Sequence, residues 1–432
     1  MALHVEEHQQ KMIRPRVILA LLVDPFFYKR AVAVLLMTGI ITVLVMGILD
    51  KHETTAVRRG DFPAFWSLAV IANSAEPGRL YDTELQRKIQ NEAWPSLEGG
   101  VLPGAYPPYL AAILRPLANF DHTTARWLWT ALSVLFTYIG VAILVGLNQQ
   151  IRWPPWMVFA LVMMFSPLLR GVLGGQFLPV SVLLIAVSLY LLRRSRAVSD
   201  ISLGIILGIW LCKPYYGLCA VLVPIMARRW LAVIAFAAVA AFWWFVGINC
   251  FGLDWFSKWS SFASLFGRAN IETNAYQMPN LWAQVYRVYS EILGLKSELH
   301  TGPNTPWLSY IGAYLSVFIV AIGVLGKKAA RAILSDPRKN GDLLLALVLT
   351  AVIIAVPQVN FYDLGVLACF ALYFFRPECR SDWYFFGVSV AISALSTDKP
   401  GGLPIHFILA LLAMVYIVWR VRVVSLSRAT SC

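Results

Sequence analysis

A few ionisable and amide side chains stand out in a chain otherwise made of apolar runs, and their types suit proton transfer beside an anion. Asp61 lies in "AVRRGDFPAFWSLAVIANS", between a doubly basic turn and an aromatic segment. A carboxylate within hydrogen-bond reach of a hydroxyl can take its proton as that hydroxyl attacks a carbon centre. The partly apolar setting of Phe62, Phe65 and Trp66 is expected to raise the pKa of such an acid toward a useful value. Lys213 in "KPYYG", Arg170 in "LRGVLGGQ" and Arg268 further along could supply positive charge to an anionic leaving group. Tyr215, Gln176, Asn360 and Asp363 are candidates for orienting hydroxyl groups, and Tyr106 and Tyr109 for lining a groove.

Each of these residues also has a plain structural reading. An unpaired ammonium at a helix break at membrane depth costs several kcal/mol, so Lys213 is either functional or paired. Asp363 and Arg170 could be helix-end charges, and Asp61 taken alone could be an ordinary solvated acid. Pro107 and Pro108 suit the first turn of a short helix, and Gly174 and Gly175 suit a tight turn or close helix contact. His300 and His406 have no evident partner and read as structural. The six cysteines form no C-x-x-C pair and read as small buried hydrophobes. No Walker loop, dinucleotide fingerprint or H-E-x-x-H is present, so ATP-driven transport and zinc chemistry lack a sequence signal, and no cofactor is expected.

The elements that must position these residues follow from composition. With 59% of 432 residues hydrophobic and 14% charged, and apolar runs recurring throughout, the chain reads as an all-α polytopic membrane protein. The runs are continuous rather than alternating, which argues against a membrane barrel. The run 31–49 lies too far in for a cleaved signal peptide and reads as a retained span. Basic clusters in short loops mark the cytoplasmic side: Lys11 to Arg30, Arg152, Arg193 to Arg196, Arg228 and Arg229, Lys327 to Lys339, Arg376 and Arg380, and Arg420 to Arg428. With the flanking acids Glu6, Glu7, Asp200, Asp342 and Asp382 counted in, these segments hold 21 of the 36 basic residues and 8 of the 23 acids, so the formal +13 lies on that side. Topology therefore explains the charge, and nucleic acid is not an expected partner.

Threading between these anchors places spans near 31–49, 123–147, 153–166, 177–193, 230–250, 307–326, 342–356, 359–375, 383–396 and 404–421. Residues 201–226 read as two short helices meeting at "CKPYYG", and 107–119 as a half-span, for about 10–13 membrane helices in all. Broken helices at that depth line protein or a wet cavity. Residues 1–30 and 421–432 fall in the cytoplasm, and the long loops 50–106 and 251–306 fall outside. "DFPAFWSLAVIA", with one apolar face from Phe62, Phe65, Trp66, Leu68 and Ala69, and "GLDWFSKWSSFASLF" read as interfacial helices in those loops. The whole of 1–432 reads as one membrane domain.

On this topology the unusual polar residues converge outside: Asp61, "AYPPYLAAILRPLA", Arg170 and Gln176, Lys213, the "PQVNFYD" segment, and Asp398 and Lys399. The ordered series "RGDFPAFW", "GRLYD", "YPPYLAAILRPLA", "GGQFLPVSVLL", "KPYYGL", "FGLDWFSKW" and "PQVNFYDLGVLA" resembles glycosyltransferase family 87 of the GT-C superfamily over residues 55–375. That family includes bacterial α-1,2-mannosyltransferases. The resemblance implies a GT-C fold and metal-independent, inverting transfer of a hexose such as mannose from a polyprenyl-phosphate sugar. It implies a lipid or glycan acceptor, a site facing the exterior of the plasma membrane, and an acid in the first external loop as general base, the position Asp61 holds. The chain departs from related patterns in having Phe62 rather than a second acid after Asp61, tyrosine after "KP", and "PQVNFYD" in place of "PYLxxYD". A transporter or flippase of a lipid-linked sugar, or another GT-C-like ligase or polymerase, would share the broken helices and Lys213.

Overall fold

The computed structural model describes residues 60–94, 100–194, 196–288, 290, 307–394 and 403–430. The expected span at 31–49, the segment 1–30, His300, Asp398 and Lys399 lie outside the described residues. Within them the chain is helical throughout and contains no strand. It opens with α1 (Phe62–Ala72), α2 (Thr83–Ala93), α3 (Pro108–Leu114), α4 (His122–Leu147), α5 (Pro155–Met163) and α6 (Ser166–Leu173). There follow α7 (Leu178–Leu192), α8 (Ala197–Ile209), α9 (Pro214–Ala220), α10 (Leu222–Met226), α11 (Trp230–Phe251), α12 (Trp255–Asn274) and α13 (Leu281–Arg287). The last group is α14 (Trp307–Leu325), α15 (Lys327–Ser335), α16 (Gly341–Ala355), α17 (Leu364–Phe374), α18 (Arg380–Ala394) and α19 (Ile405–Thr430).

Among the described residues, α4, α11 and α19 are long and apolar enough to cross a membrane alone. The expected straight span at 153–166 is instead the pair α5 and α6, bent by 95°. Pro167 lies in the first turn of α6, where a missing amide is tolerated and the preceding chain is pushed out of helix. Shorter helices survive because protein covers them. α16 has 15 residues, about 22 Å at 1.5 Å per residue, and every one of them is buried. α8 meets α11 through Gly204 and Gly208, where an added Cβ would come within 2.1 Å of the Ala232 carbonyl and 2.6 Å of Val239. Small residues four apart permit this backbone approach.

Two sequence expectations change. α1 is not an interfacial helix with one apolar face: only Trp66 and Val70 of its eleven residues escape burial. The rings of Phe62 and Phe65 pack against Trp94, Tyr106 and Trp129 from different sides. The tail from 421 does not begin there as a separate segment, because α19 continues to Thr430.

The helices give the molecule two chemically distinct ends. At the basic end, Arg428 brackets Asp342 at 2.9 and 2.8 Å while the Tyr373 hydroxyl donates to the same carboxylate at 2.5 Å. Arg420 lies 3.4 Å from Asp382, both buried, and donates to the Phe374 carbonyl. Arg229 lies 3.3 Å from Asp200 and donates to the carbonyls of Leu191, Leu192 and Arg194. Residues read from sequence as topological markers thus also tie α7, α11, α16, α17, α18 and α19 together. The opposite ends of α7, α8, α16 and α17 carry the polar site.

Candidate functional site

The site is organised around a backbone clasp. Gly60 has φ +46° and Gly175 φ +66°, a region that glycine enters without penalty. The Asp61 amide donates to the Gly174 carbonyl at 3.0 Å. A Cβ on Gly60 would fall 2.0 Å from that carbonyl oxygen, and one on Gly175 would fall 2.7 Å from the Phe62 Cβ. The Trp129 indole donates to the Gly175 carbonyl at 2.9 Å and holds the turn from the other side. Two glycine turns, 114 residues apart in the chain, thereby set Asp61 beside Gln176.

Asp61 occupies the N-cap of α1, yet its side chain makes no capping bond. Its carboxylate is free for other work while the helix N-terminus favours negative charge there. Oδ2 accepts from the Tyr362 hydroxyl at 3.2 Å, and the Gln176 side chain hydrogen-bonds to the same carboxylate. Asp61 is half-buried. Burial raises its pKa above the ordinary carboxylate range, opposed by the bonds from Gln176 and Tyr362 and by the charge of Lys213. Among the described residues its hydrogen-bond donors, Tyr362 and Gln176, are neutral.

Asp363 is held differently. It pairs with Lys213 at 2.6 Å, with only 1% and 3% of the two side chains exposed, and its second oxygen accepts from the Asn360 amide at 3.1 Å. Lys213 reaches this position because the chain breaks there. Pro214 cannot continue the helix that precedes it, and Lys213 adopts φ −116° and ψ 87°. The rings of Tyr362, Tyr216 and Tyr215 surround the ammonium at 5.2, 5.6 and 5.9 Å, within cation–π range.

The structure brings together most of the residues singled out in the sequence. Asp61, Gln176, Lys213, Tyr215, Asn360 and Asp363 form one cluster. Tyr106 joins it: its ring packs 4.9 Å from Phe65, and it lies within electrostatic reach of Asp61 and Asp363. Arg170 is half-buried with its guanidinium 5.5 Å from the Phe361 ring centroid. Two residues stand apart. Tyr109 is not a groove-lining tyrosine: its hydroxyl donates to the Leu211 carbonyl at 2.7 Å and its buried ring stacks on Trp243 at 5.3 Å. Arg268 lies on α12 with Glu272 at 3.7 Å, and within the described residues it is not among the groups acting on Asp61. His406 packs 5.3 Å from Phe361 and is buried, in keeping with a structural part.

Sequence reasoning missed Tyr362, which touches both Asp61 and Lys213. Its signal was its place between Asn360 and Asp363 in "PQVNFYD". It also missed Tyr216 and the asparagines of α12. Among the described residues no three His, Cys, Asp or Glu side chains converge as a metal site.

The model of Glycosyltransferase family 87 matches residues 105–357. That stretch includes Arg170, the Gly174–Gln176 turn and Lys213, while Asp61 precedes it and Asn360 to Asp363 follow it. No curated protein and no solved structure matches the chain. The family match covers more than half of a chain folded as an all-helical membrane bundle: the protein belongs to glycosyltransferase family 87, a family of the GT-C type.

Proposed function

We propose that the protein transfers a hexose, mannose in the first instance, from a polyprenyl-phosphate sugar to a hydroxyl of a lipid or glycan acceptor. Asp61 is the general base. The observation that carries this reading is the unequal state of the two carboxylates in the cluster. Asp363 is neutralised by Lys213 and closed from solvent, whereas Asp61 is half-buried and, among the described residues, bonded to neutral donors. Only Asp61 is placed to accept a proton.

In the reaction the acceptor oxygen attacks the anomeric carbon from the face opposite the phosphate. Its proton passes to Asp61, a contribution of about 10²–10⁴-fold for a well-placed base. The bond between the anomeric carbon and the phosphate oxygen breaks, and its electron pair leaves with the polyprenyl phosphate. A β-linked donor then gives an α-linked product. The leaving phosphate needs positive charge rather than a strong acid, and Arg170 supplies it at the rim, with Lys213 behind. Gln176 uses its side chain on Asp61 and helps to orient the carboxylate. Metal is not needed in this scheme, because side chains carry the charge.

A lipid-borne donor fits the surroundings. Leu364, the residue after Asp363, is at one edge of an apolar cavity of about 80 Å³ that continues along α17 to Phe375 between α5, α18 and α19. The basic end of the bundle faces the cytoplasm by the charge rule, so the site faces the exterior of the plasma membrane, and 1–432 acts as one membrane domain.

The test incubates purified protein with radiolabelled polyprenyl-phosphate-mannose and a membrane lipid extract. Covalent incorporation that Asp61→Asn abolishes supports the reading. Donor movement across vesicles without incorporation makes the protein a transporter and refutes it.

A further inference from the structure

The mechanism uses Asp61 and its immediate neighbours, yet the hydrogen bonds around it do not stop there. Tyr362 donates to Asp61 Oδ2 at 3.2 Å, and the Tyr362 oxygen accepts from Asn360 Nδ2 at 3.1 Å. Asn360 Oδ1 accepts from Asn270 Nδ2 at 3.4 Å, and Asn270 Oδ1 accepts from Asn274 Nδ2 at 2.8 Å. Four bonds run in one direction, each group receiving from the outer neighbour and donating to the inner one. Bonds so aligned polarise one another, and each is strengthened by the next.

The chain joins three parts of the molecule far apart in sequence: the last turn of α12, the segment before α17, and the start of α1. Asn270 is 8% exposed although it stands on a helix whose other faces are mostly open. The stretch that follows is anchored independently. Asn280 donates to the carbonyls of Val359 at 3.0 Å and Pro357 at 3.3 Å, and the Trp282 indole donates to Ala355 at 2.9 Å. α12 itself is held by Trp259, whose indole donates to the Ala105 carbonyl at 3.1 Å, and with the anchored stretch after it the helix is docked by contacts other than Asn270. The amide of Asn270 is not needed to hold the helix down, and its burial against Asn360 calls for another reason.

We propose that Asn270, supported by Asn274, is a positioning residue of the active site, the outer end of a hydrogen-bond relay through Asn360 and Tyr362 to Asp61. This rests on the reading of Asp61 as the base. The relay strengthens the donor that Tyr362 presents and so stabilises the ionised carboxylate against its own burial. Among the described residues, the charged and titratable groups facing Asp61 from the surrounding elements are Lys213, Asp363, Tyr106, Tyr215 and Tyr362. None of these is altered by a change at position 270. Cutting the relay there leaves Asp61 with a weaker Tyr362 bond and an unchanged field from Lys213 and Asp363.

The test is the pH profile of kcat/KM in the full-length protein. Asn270→Leu is expected to move the acid limb toward higher pH by about half to one unit, the worth of a modest hydrogen bond. On that limb the loss is about three- to tenfold, and near the plateau it is small. Asn270→Gln, which keeps the amide, restores part of the shift. Asn274→Ala, one link further out, gives a smaller shift in the same direction and stands in if Asn270→Leu does not fold. In a Tyr362→Phe background Asn270→Leu adds no further shift, because the link it acts through is already gone. Equal loss at every pH would mean that Asn270 only packs α12, and an additive shift in the Tyr362→Phe background would mean that no relay exists; either overturns the proposal. Asp61→Asn run alongside separates the two readings: if it keeps full activity, the base is misassigned whatever position 270 does.

Discussion

The Lys213–Asp363 pair permits the sharpest energetic prediction. Its atoms are 2.6 Å apart and the two side chains are all but closed from solvent. At an effective dielectric of ~20 the direct attraction is about 6 kcal/mol, and desolvation of both ions offsets much of it. Lys213→Met removes one partner and leaves a buried carboxylate with neutral donors such as the Asn360 amide. That should cost about 3–5 kcal/mol. Lys213→Met combined with Asp363→Asn removes both charges and keeps an amide oxygen for the Asn360 amide. The double variant should recover most of that loss. The assay is thermal unfolding in detergent followed by tryptophan fluorescence, with transfer measured on the folded fraction. If the single variant loses less than about 1 kcal/mol, or the double is no more stable than the single, the pair is not the buried, coupled unit argued here.

Three further outcomes follow from the same geometry. Gly60→Ala places a Cβ 2.0 Å from the Gly174 carbonyl at a φ of +46°; transfer should fall by about 10²-fold as Asp61 leaves Gln176, with helical circular dichroism unchanged. The raised pKa of Asp61 fixes a sign for the pH dependence: the base works ionised, so kcat/KM should fall as pH drops through a value above the ordinary carboxylate range, and a limb at or below ~4 in a pH–rate series would contradict this. Arg420→Met leaves Asp382 buried without its cation at the basic end; unfolding should become easier by about 3–5 kcal/mol, while KM for the donor on folded protein stays as it was.

Much of the architecture was readable because membrane helices announce themselves one at a time. Expected spans such as 123–147, 177–193, 230–250 and 342–356 correspond to α4, α7, α11 and α16. The break at "CKPYYG" was legible from Pro214, and the helix start at Pro107 and Pro108 from the same chemistry. What could not be read was which faces meet. Hydrophobicity marks α1 as apolar but does not separate a helix lying at the interface from one enclosed by Trp94, Tyr106 and Trp129. Tyr106 and Tyr109 look equivalent in "YPPY", yet one reaches the cluster and the other is used on Leu211. Asn270 meets Asn360 across 90 residues, and no local pattern records such a contact. The bend between α5 and α6 had a local signal in Pro167, one residue past the expected span, but its angle of 95° did not.

The most direct measurement is single-turnover transfer from labelled polyprenyl-phosphate-mannose by purified wild-type and Asp61→Asn protein, with the anomeric configuration of the product read by NMR. The account predicts an inverted, α-linked product from a β-linked donor and a rate for Asp61→Asn lower by about 10²–10⁴-fold in a protein that still binds donor. A β-linked product, or turnover by Asp61→Asn close to that of wild type, would contradict it.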